Sequence, residues 1–234
     1  MVPASQLITQ LQRRLDDLRL DSDTRPSVVI SSCLLGQPVR YDGGHKSLGD
    51  LNRLLSDSLK LHSVCPEVAA NMGTPRPPIQ WIETRTGELQ LQQVDDSLRR
   101  FDHSLERTCQ QQLEHLPRLD GAVLKARSPS CGSATTPIFS EQGQVLRSGD
   151  GMWAATLKEH RPDTLIIDED QLQTLEDTYW FIVIIYTHKR MREKQDREKG
   201  GAGSGNKPEP DIRVLLNCSR VQRPQLIGKL LLPY

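Results

Sequence analysis

The sequence lacks an apolar segment long enough to cross a membrane. Its longest strongly apolar run, residues 179–186, spans eight residues, whereas a membrane-spanning helix needs about 20. A secretory signal is also lacking, because the amphipathic stretch 1–20 contains no continuous apolar core. We therefore expect a cytoplasmic protein with no membrane association.

Net charge is lacking as well, since 30 Lys and Arg residues balance 30 Asp and Glu residues. This balance argues against a function that depends on strong overall charge, although it still allows a local basic patch. Aromatic residues make up only 4% of the 234 residues, and hydrophobic residues make up 36%. Such a lean composition predicts one substantial domain, with some of the chain outside its core.

The five cysteines include no CxxC pair. An odd number of unpaired cysteines without an export signal argues against a disulfide framework and favours reduced thiols.

Short apolar runs alternate with amphipathic segments along most of the chain. Helical periodicity predicts helices over residues 5–20, 47–60 and 95–116, a helix capped by Asp150 that ends at His160, and a short helix from about residue 170. Strands are predicted at 28–31, 61–64, 121–124 and 164–167, with hairpins over 79–94 and 138–147. This alternation predicts an α/β fold: a mainly parallel sheet flanked by helices in a Rossmann-like, three-layer arrangement.

The two ends differ in character from the centre. Residues 1–25 are predicted to form an added N-terminal helical extension, and 26–176 the α/β domain. Residues 177–234 are predicted to be a C-terminal extension of unassigned fold, with a flexible Gly-rich linker at about 200–211.

Three cysteines share one local setting. Cys33, Cys65 and Cys131 each lie just beyond the carboxyl end of a predicted strand, which is the edge where open parallel sheets bind ligands. If these strands are neighbours, the thiols converge. Three thiolates suit a soft metal or an iron–sulfur cluster, and three ligands would leave one iron of a 4Fe-4S cluster without a protein ligand. Isolated buried cysteines also occur simply as packing residues.

The residues around these cysteines add chemistry. Glu67 follows Cys65 in Cys-Pro-Glu, and its carboxylate is a candidate for general acid–base work or for the first turn of a helix. Ser128 precedes Cys131 in Arg-Ser-Pro-Ser-Cys-Gly, where its hydroxyl either reacts or satisfies loop backbone groups, as Ser130 also could.

The ordered segments SSCLLGQPVRYDGG, VCPEV followed by TPRPP, LKARSPSCG and SGDG resemble the thiouracil desulfidase (TudS) family over residues of about 26–170. The resemblance implies a 4Fe-4S cluster bound by Cys33, Cys65 and Cys131, with one iron not bound by protein. It also implies catalytic roles for Glu67 and Ser128.

The implied reaction replaces the sulfur of a thiolated pyrimidine with oxygen and releases sulfide without net redox change. The implied substrate is a small thiolated pyrimidine, either thiouracil or 4-thiouridine, or a thiolated tRNA. No protein partner can be inferred.

Four further residues are candidate substrate contacts: Arg40, Tyr41, Asp42 and Lys125. Asp42 also begins an ordinary Asp-Gly turn, and Lys125 with Arg127 would bind either a phosphate or a surface carboxylate. Two other functions stay open. One is a non-catalytic iron–sulfur binding or sensor module. The other is a zinc-stabilised structural protein, which the wide cysteine spacing disfavours.

Overall fold

The computed structural model describes residues 25–200. Its strands are β1 (Ser27–Ser31), β2 (Lys60–Val64), β3 (Ile79–Glu83), β4 (Leu89–Gln93), β5 (Gly121–Leu124), β6 (Thr136–Ser140), β7 (Val145–Gly149) and β8 (Leu165–Asp168). Its α-helices are α1 (Leu51–Ser58), α2 (Pro66–Ala69), α3 (Asp102–Glu114), α4 (Met152–His160) and α5 (Leu175–Gly200). The predicted helix 5–20, most of the linker at 200–211 and the segment that follows it lie outside the described residues.

The first sheet is fully parallel and has the order β2-β1-β5-β8. Val28 and Ile30 of β1 point into one hydrophobic core, whereas Val29 points into a second core on the opposite face. A strand buried on both faces needs a continuous apolar run, because successive side chains alternate between the faces. The predicted α/β fold with a mainly parallel sheet is confirmed.

Helices cover both faces of this sheet. The first core contains Leu54 and Leu55 of α1 together with Ile182 of α5. The second core contains Leu105 of α3 and Trp153 of α4, which is fully buried. The two cores on either side of the sheet form the three layers that the alternation of strands and helices predicted.

A second, mixed sheet has the order β4-β3-β6-β7. Each predicted hairpin forms one antiparallel pair, β3 with β4 and β6 with β7. Parallel pairing between β3 and β6 joins the two hairpins, with Trp81 opposite Ile138. Sequence periodicity predicted the hairpins but not this long-range pairing. Both side chains belong to the second core, so this sheet packs onto the same body.

Helices α1, α3 and α4 begin later than predicted, and α1 starts at Leu51 rather than 47. Helix α3 begins at Asp102 rather than 95, since the Asp96 carboxylate accepts a hydrogen bond from Leu98 N at 3.1 Å and forms a turn instead. Helix α4 is capped by Gly151, without a side-chain cap. Asp150 instead accepts hydrogen bonds from Ala134 N and Lys158 Nζ, at 2.7 and 2.6 Å. The predicted Asp150 cap was therefore wrong.

The predicted short helix near residue 170 is replaced by a 3-10 turn at Glu169–Gln171 and by α5, which is 26 residues long. The apolar side chains in residues 179–185 lie in the first core, so the predicted start of the C-terminal extension at residue 177 falls within a helix that packs on the sheet. Among the described helices none is long and apolar enough to span a membrane.

The second half of α5 is tied to the sheet by a buried ion pair. Arg192 Nη2 donates to Asp120 Oδ1 at 2.5 Å, and Asp120 Oδ2 accepts from Ser27 N at 2.8 Å. The two paired side chains are 11% and 2% exposed. The pair therefore joins the last described helix to the amino-terminal edge of the first sheet.

We expect Asp120→Asn to lower the free energy of unfolding by about 3 kcal/mol, because it leaves the buried Arg192 charge without its partner. Asp196→Asn is the matched control, since Asp196 pairs with Arg118 where both side chains are 50% exposed. That variant should change stability by less than about 1 kcal/mol. Urea unfolding measures both, and equal effects would contradict the prediction.

Candidate functional site

Strand pairing brings the three cysteine positions to one edge of the first sheet. Cys33 lies in the 3-10 turn directly after β1, Cys65 directly after β2, and Cys131 in the loop after β5. These three strands are adjacent and parallel, so their carboxyl ends meet. The convergence expected from the sequence is therefore present in the fold.

The cysteines line one cavity of about 470 Å³. The other predicted site residues in its wall are Glu67, Ser128, Arg40, Tyr41 and Lys125. Asp42 is not part of the wall. A cavity of this size, with polar groups converging in it, has the dimensions of a small-ligand site.

The three thiols lie in an environment that opposes their ionisation. Burial, together with the charge of the neighbouring Cys65, raises the pKa of Cys33 to about 11. Burial also raises the pKa of Cys131, as do the charges of Cys65 and Cys33. Thiols that influence one another in this way ionise together only when a cation compensates their charge, and an iron–sulfur cluster supplies such a cation.

Cys65 has a partial compensation of its own. Burial raises the pKa of this thiol, but the backbone N–H groups of Val68 and Glu67 donate hydrogen bonds that lower it. Both donors belong to the first turn of α2, for which Cys65 is the N-cap residue. The Cys-Pro-Glu sequence therefore places a sulfur ligand where backbone groups stabilise its thiolate.

A single-ion site is not formed by the described part of the chain. Within residues 25–200, no group of three or more Cys, His, Asp and Glu side chains is arranged to hold one metal ion. A tetrahedral zinc site gathers its ligands around one atom, whereas a four-iron cluster is wider and holds its cysteines further apart. Three cysteine sulfurs around one cavity are a donor set that an iron–sulfur cluster can take.

Glu67 is held at both carboxylate oxygens. Arg76 Nε donates to Oε2 at 2.7 Å, and Ser130 Oγ donates to Oε1 at 2.6 Å. The Glu67 and Arg76 side chains are 12% and 4% exposed, so the ion pair is largely shielded from water. A carboxylate accepts hydrogen bonds at both oxygens in this way when it is ionised.

The loop carrying Cys131 is fixed by backbone contacts on several sides. Pro129 O accepts hydrogen bonds from Trp81 Nε1 at 2.9 Å and Met152 N at 3.1 Å, and Ser130 O accepts from Trp153 N at 2.6 Å. Trp81 belongs to the second sheet and the two donors of α4 to its first turn. Both neighbouring elements thus position Cys131.

Ser128 also positions this loop. Its Oγ accepts hydrogen bonds from Ser130 N at 3.3 Å and Cys131 N at 3.2 Å. The alternative that this hydroxyl satisfies loop backbone groups therefore describes the contacts that are present. Because Oγ is the acceptor in both contacts, its own proton can still be donated into the cavity.

The predicted substrate contacts divide into two groups. Arg40 and Tyr41 line the cavity, with the Arg40 guanidinium 5.3 Å from the Tyr41 ring centre. The Asp42 carboxylate accepts from Gly44 N at 3.0 Å and lies 3.4 Å from Arg40 Nε. Asp42 is thus the turn residue that the Asp-Gly dipeptide suggested, and it reaches the cavity only through Arg40.

Lys125 lines the cavity with its charge already compensated. Its Nζ pairs with Glu169 Oε1 in a short contact and also donates to Ala126 O at 2.9 Å. Arg127 pairs with Asp170 at 3.2 Å. The carboxylates of the Glu169–Gln171 turn therefore neutralise much of the positive charge at this side of the cavity.

Sequence reasoning did not identify Arg76 or Ser130 as site residues. Both lay inside quoted motifs, Arg76 in TPRPP and Ser130 in RSPSCG, so the signal was present. An arginine enclosed by three prolines is held in a stiff segment. Nothing local in the sequence paired it with Glu67, nine residues away.

Comparison with known proteins agrees with this geometry. A model of the 2-thiouracil desulfurase family matches residues 28–170, more than half of the chain. The chain belongs to the 2-thiouracil desulfurase family. This membership confirms the resemblance inferred from the ordered cysteine motifs.

Two known proteins are similar to this chain. A solved structure described as the 4Fe-4S-dependent thiouracil desulfidase TudS is 32% identical, with a TM-score of 0.51, and the match covers 63% of this chain and 93% of the solved one. The uncharacterized protein YbbK of Bacillus subtilis (strain 168) is 27% identical over 157 residues, which are 63% of this chain and 99% of YbbK. The solved relative is thus described as an iron–sulfur-dependent enzyme that acts on thiouracil.

Gly151 lies against the loop that carries Cys131. A Cβ there would lie 2.7 Å from Cys131 N and 2.8 Å from Ser128 O, both backbone atoms. We expect Gly151→Ala to displace the loop and to lower iron content after anaerobic reconstitution. Gly149→Ala is the control, because its Cβ would meet the flexible end of Ile138. Equal iron content in both variants would refute this account.

Asp168 anchors the segment after Cys131, with Ser133 N donating to Oδ1 at 3.0 Å. Burial raises its pKa to about 6, against opposing hydrogen bonds from Thr135 and Ser133. A raised carboxyl pKa favours the protonated form in the fold, so this contribution to stability is complete below the unfolded pKa and is lost as the pH rises through 6. Between pH 4 and pH 7, we expect the free energy of unfolding of the wild type to fall relative to that of Asp168→Asn. Urea unfolding across this range measures the difference, and a difference independent of pH would disprove it.

Proposed function

We propose that this protein removes the sulfur of a thiolated pyrimidine by hydrolysis, with Cys33, Cys65 and Cys131 as ligands of a 4Fe-4S cluster. The observation that carries the proposal is that these three thiols line one cavity together with Glu67 and Ser128. In the overall reaction water adds to the ring carbon, oxygen replaces sulfur, and the sulfur leaves as sulfide. The carbon keeps its oxidation state, so no external electron donor is required.

Three cysteine ligands would leave one iron of a bound 4Fe-4S cluster without a protein ligand, and the cluster would supply Lewis-acid chemistry there. The protein's part is to exclude bulk water and to manage protons. Cys33 and Cys131 are 8% and 6% exposed and Cys65 is partly exposed, so two of the three thiols are largely shielded from bulk water. In this environment charged groups act on a bound substrate more strongly than they do in water.

Glu67 is the proposed general base. An ionised carboxylate in the cavity wall accepts the proton of the attacking water and returns a proton to the departing sulfur. Ser128 has an unshared hydroxyl proton beside Cys131, and we assign it to donate a hydrogen bond to the substrate ring or its sulfur. Both residues lie on segments that also carry a cysteine ligand, so their positions relative to the sulfurs are set by short stretches of chain.

Charge favours a free base or a nucleoside over tRNA as substrate. Four of the five cationic wall residues are paired with carboxylates, and among the described residues Lys46 has no ion pair; the pairs are Arg40 with Asp42, Arg76 with Glu67, Lys125 with Glu169 and Arg127 with Asp170. Tight binding of a polynucleotide depends on uncompensated Lys and Arg at its phosphates. We therefore assign Arg40, Tyr41 and Lys125 to contacts with the pyrimidine or its sugar.

The test is sulfide release by the anaerobically reconstituted protein from 2-thiouracil, 4-thiouridine and thiolated tRNA. We expect a brown protein that turns over a small thiolated pyrimidine, with tRNA the poorest substrate. Cys33→Ala should lose both the cluster absorption and sulfide release, whereas Cys109→Ala, which alters a fully buried core residue away from the cavity, should keep both. Brown protein without sulfide release from any substrate would instead favour the non-catalytic iron–sulfur module.

A further inference from the structure

A hydrogen-bonded network that the cysteine motifs do not explain includes two residues of the cavity wall, Glu67 and Arg76. It runs from Ser130 through Glu67 to Arg76, with donor–acceptor distances of 2.6 and 2.7 Å. Counted over whole residues, Ser130 is 1% exposed and Arg76 is 8% exposed. A buried arginine is uncommon unless it is paired and hydrogen-bonded. Here one carboxylate, that of Glu67, links the buried Arg76 to the buried Ser130.

Arg76 and Ser130, the two ends of this hydrogen-bonded network, are themselves anchored. Arg76 Nη1 donates to Gly73 O at 2.8 Å, and Arg76 N donates to Tyr41 O at 2.9 Å. At the other end, Ser130 O accepts from Trp153 N, the second residue of α4. Neither end can turn freely, so the carboxylate plane between them is held in one orientation.

We infer that Arg76 and Ser130 are positioning residues for Glu67, each holding one carboxylate oxygen so that the remaining lone pairs face the cavity. This inference rests on the proposed function, in which Glu67 handles the protons of hydrolysis. An unrestrained glutamate would sample several rotamers, and only a fraction of them would face the reacting carbon. Arg76 supplies a fixed, planar set of donors for this purpose.

The first test compares steady-state kinetics of the reconstituted holoenzyme in four variants: Arg76→Gln, Arg76→Lys, Glu67→Gln and the double Arg76→Gln/Glu67→Gln. With iron content equal to wild type, Arg76→Gln should lower kcat about tenfold to a hundredfold with little change in KM. Arg76→Lys should retain more activity than Arg76→Gln. In the Glu67→Gln background, Arg76→Gln should cause little further loss, because Arg76 acts through Glu67.

Chemical rescue separates positioning from a general structural role. We expect millimolar guanidinium to restore part of the kcat of Arg76→Ala and to leave Glu67→Gln and wild type unchanged. The control is Arg85→Gln, which removes an arginine paired with Glu141 on the surface, where the Arg85 side chain is 87% exposed. It should keep wild-type kcat, KM and iron content.

If Arg76→Gln fails to fold, Ser130→Ala tests the other oxygen by removing one hydroxyl. It should lower kcat in wild type but not in the Glu67→Gln background, with Ser104→Ala as the exposed control. A readout besides activity is the double-mutant cycle of Arg76→Gln and Glu67→Gln in urea unfolding of the full chain, where we expect the two effects to be non-additive.

Three results would each overturn the inference while the proposed function stands. The first is a double variant whose loss in kcat is the product of the losses in Arg76→Gln and Glu67→Gln. The others are a wild-type kcat in Arg76→Gln at normal iron content, and additive effects of the two substitutions on the free energy of unfolding. A wild-type protein that binds iron but releases no sulfide from any thiolated pyrimidine would refute the proposed function itself, and with it the catalytic purpose of this positioning.

Discussion

The site depends on the parallel pairing of three neighbouring strands. Strands β2, β1 and β5 are adjacent and run in the same direction, so the residues that follow them emerge at one edge. This places Cys65, Cys33 and Cys131 around one cavity although they are 32 and 66 residues apart in the chain. A change of strand order would leave every motif intact and would scatter the thiols. Both faces of the sheet are buried, which keeps that order fixed.

The second sheet completes the opposite wall of the cavity. Arg76 lies just before β3, and Trp81 within β3 donates to the carbonyl of Pro129 beside Cys131. One strand therefore positions both the partner of Glu67 and the loop of the third cysteine. The parallel β3–β6 pair joins the two hairpins and holds β3 against the second core. Through β3 it also holds the polar side of the site in place.

Charge in the site is organised in compensated pairs. Arg76 with Glu67 and Lys125 with Glu169 place buried or half-buried charges beside the thiols without leaving either sign in excess. Burial raises the pKa of each cysteine, so the protein by itself favours neutral thiols there. On the proposed function, a 4Fe-4S cluster would supply the positive charge that three thiolates need and that the protein itself does not provide.

Local patterns in the sequence determined the strands, both hairpins, the cysteine motifs and the family, because each depends on residues close together in the chain. Val28–Ile30 identifies a strand buried on both faces, and Cys65-Pro66-Glu67 identifies a thiol at a helix start. Only the tertiary structure decided that Glu67 meets Arg76 and Ser130, that Ser128 accepts from backbone groups, and that Asp42 lies outside the cavity. It also decided that residues 179–185 belong to a long helix in the first core. The hydrogen bonds at Glu67 join segments up to 63 residues apart, and their partners are selected by packing and by the need to satisfy buried polar groups, which no local pattern records.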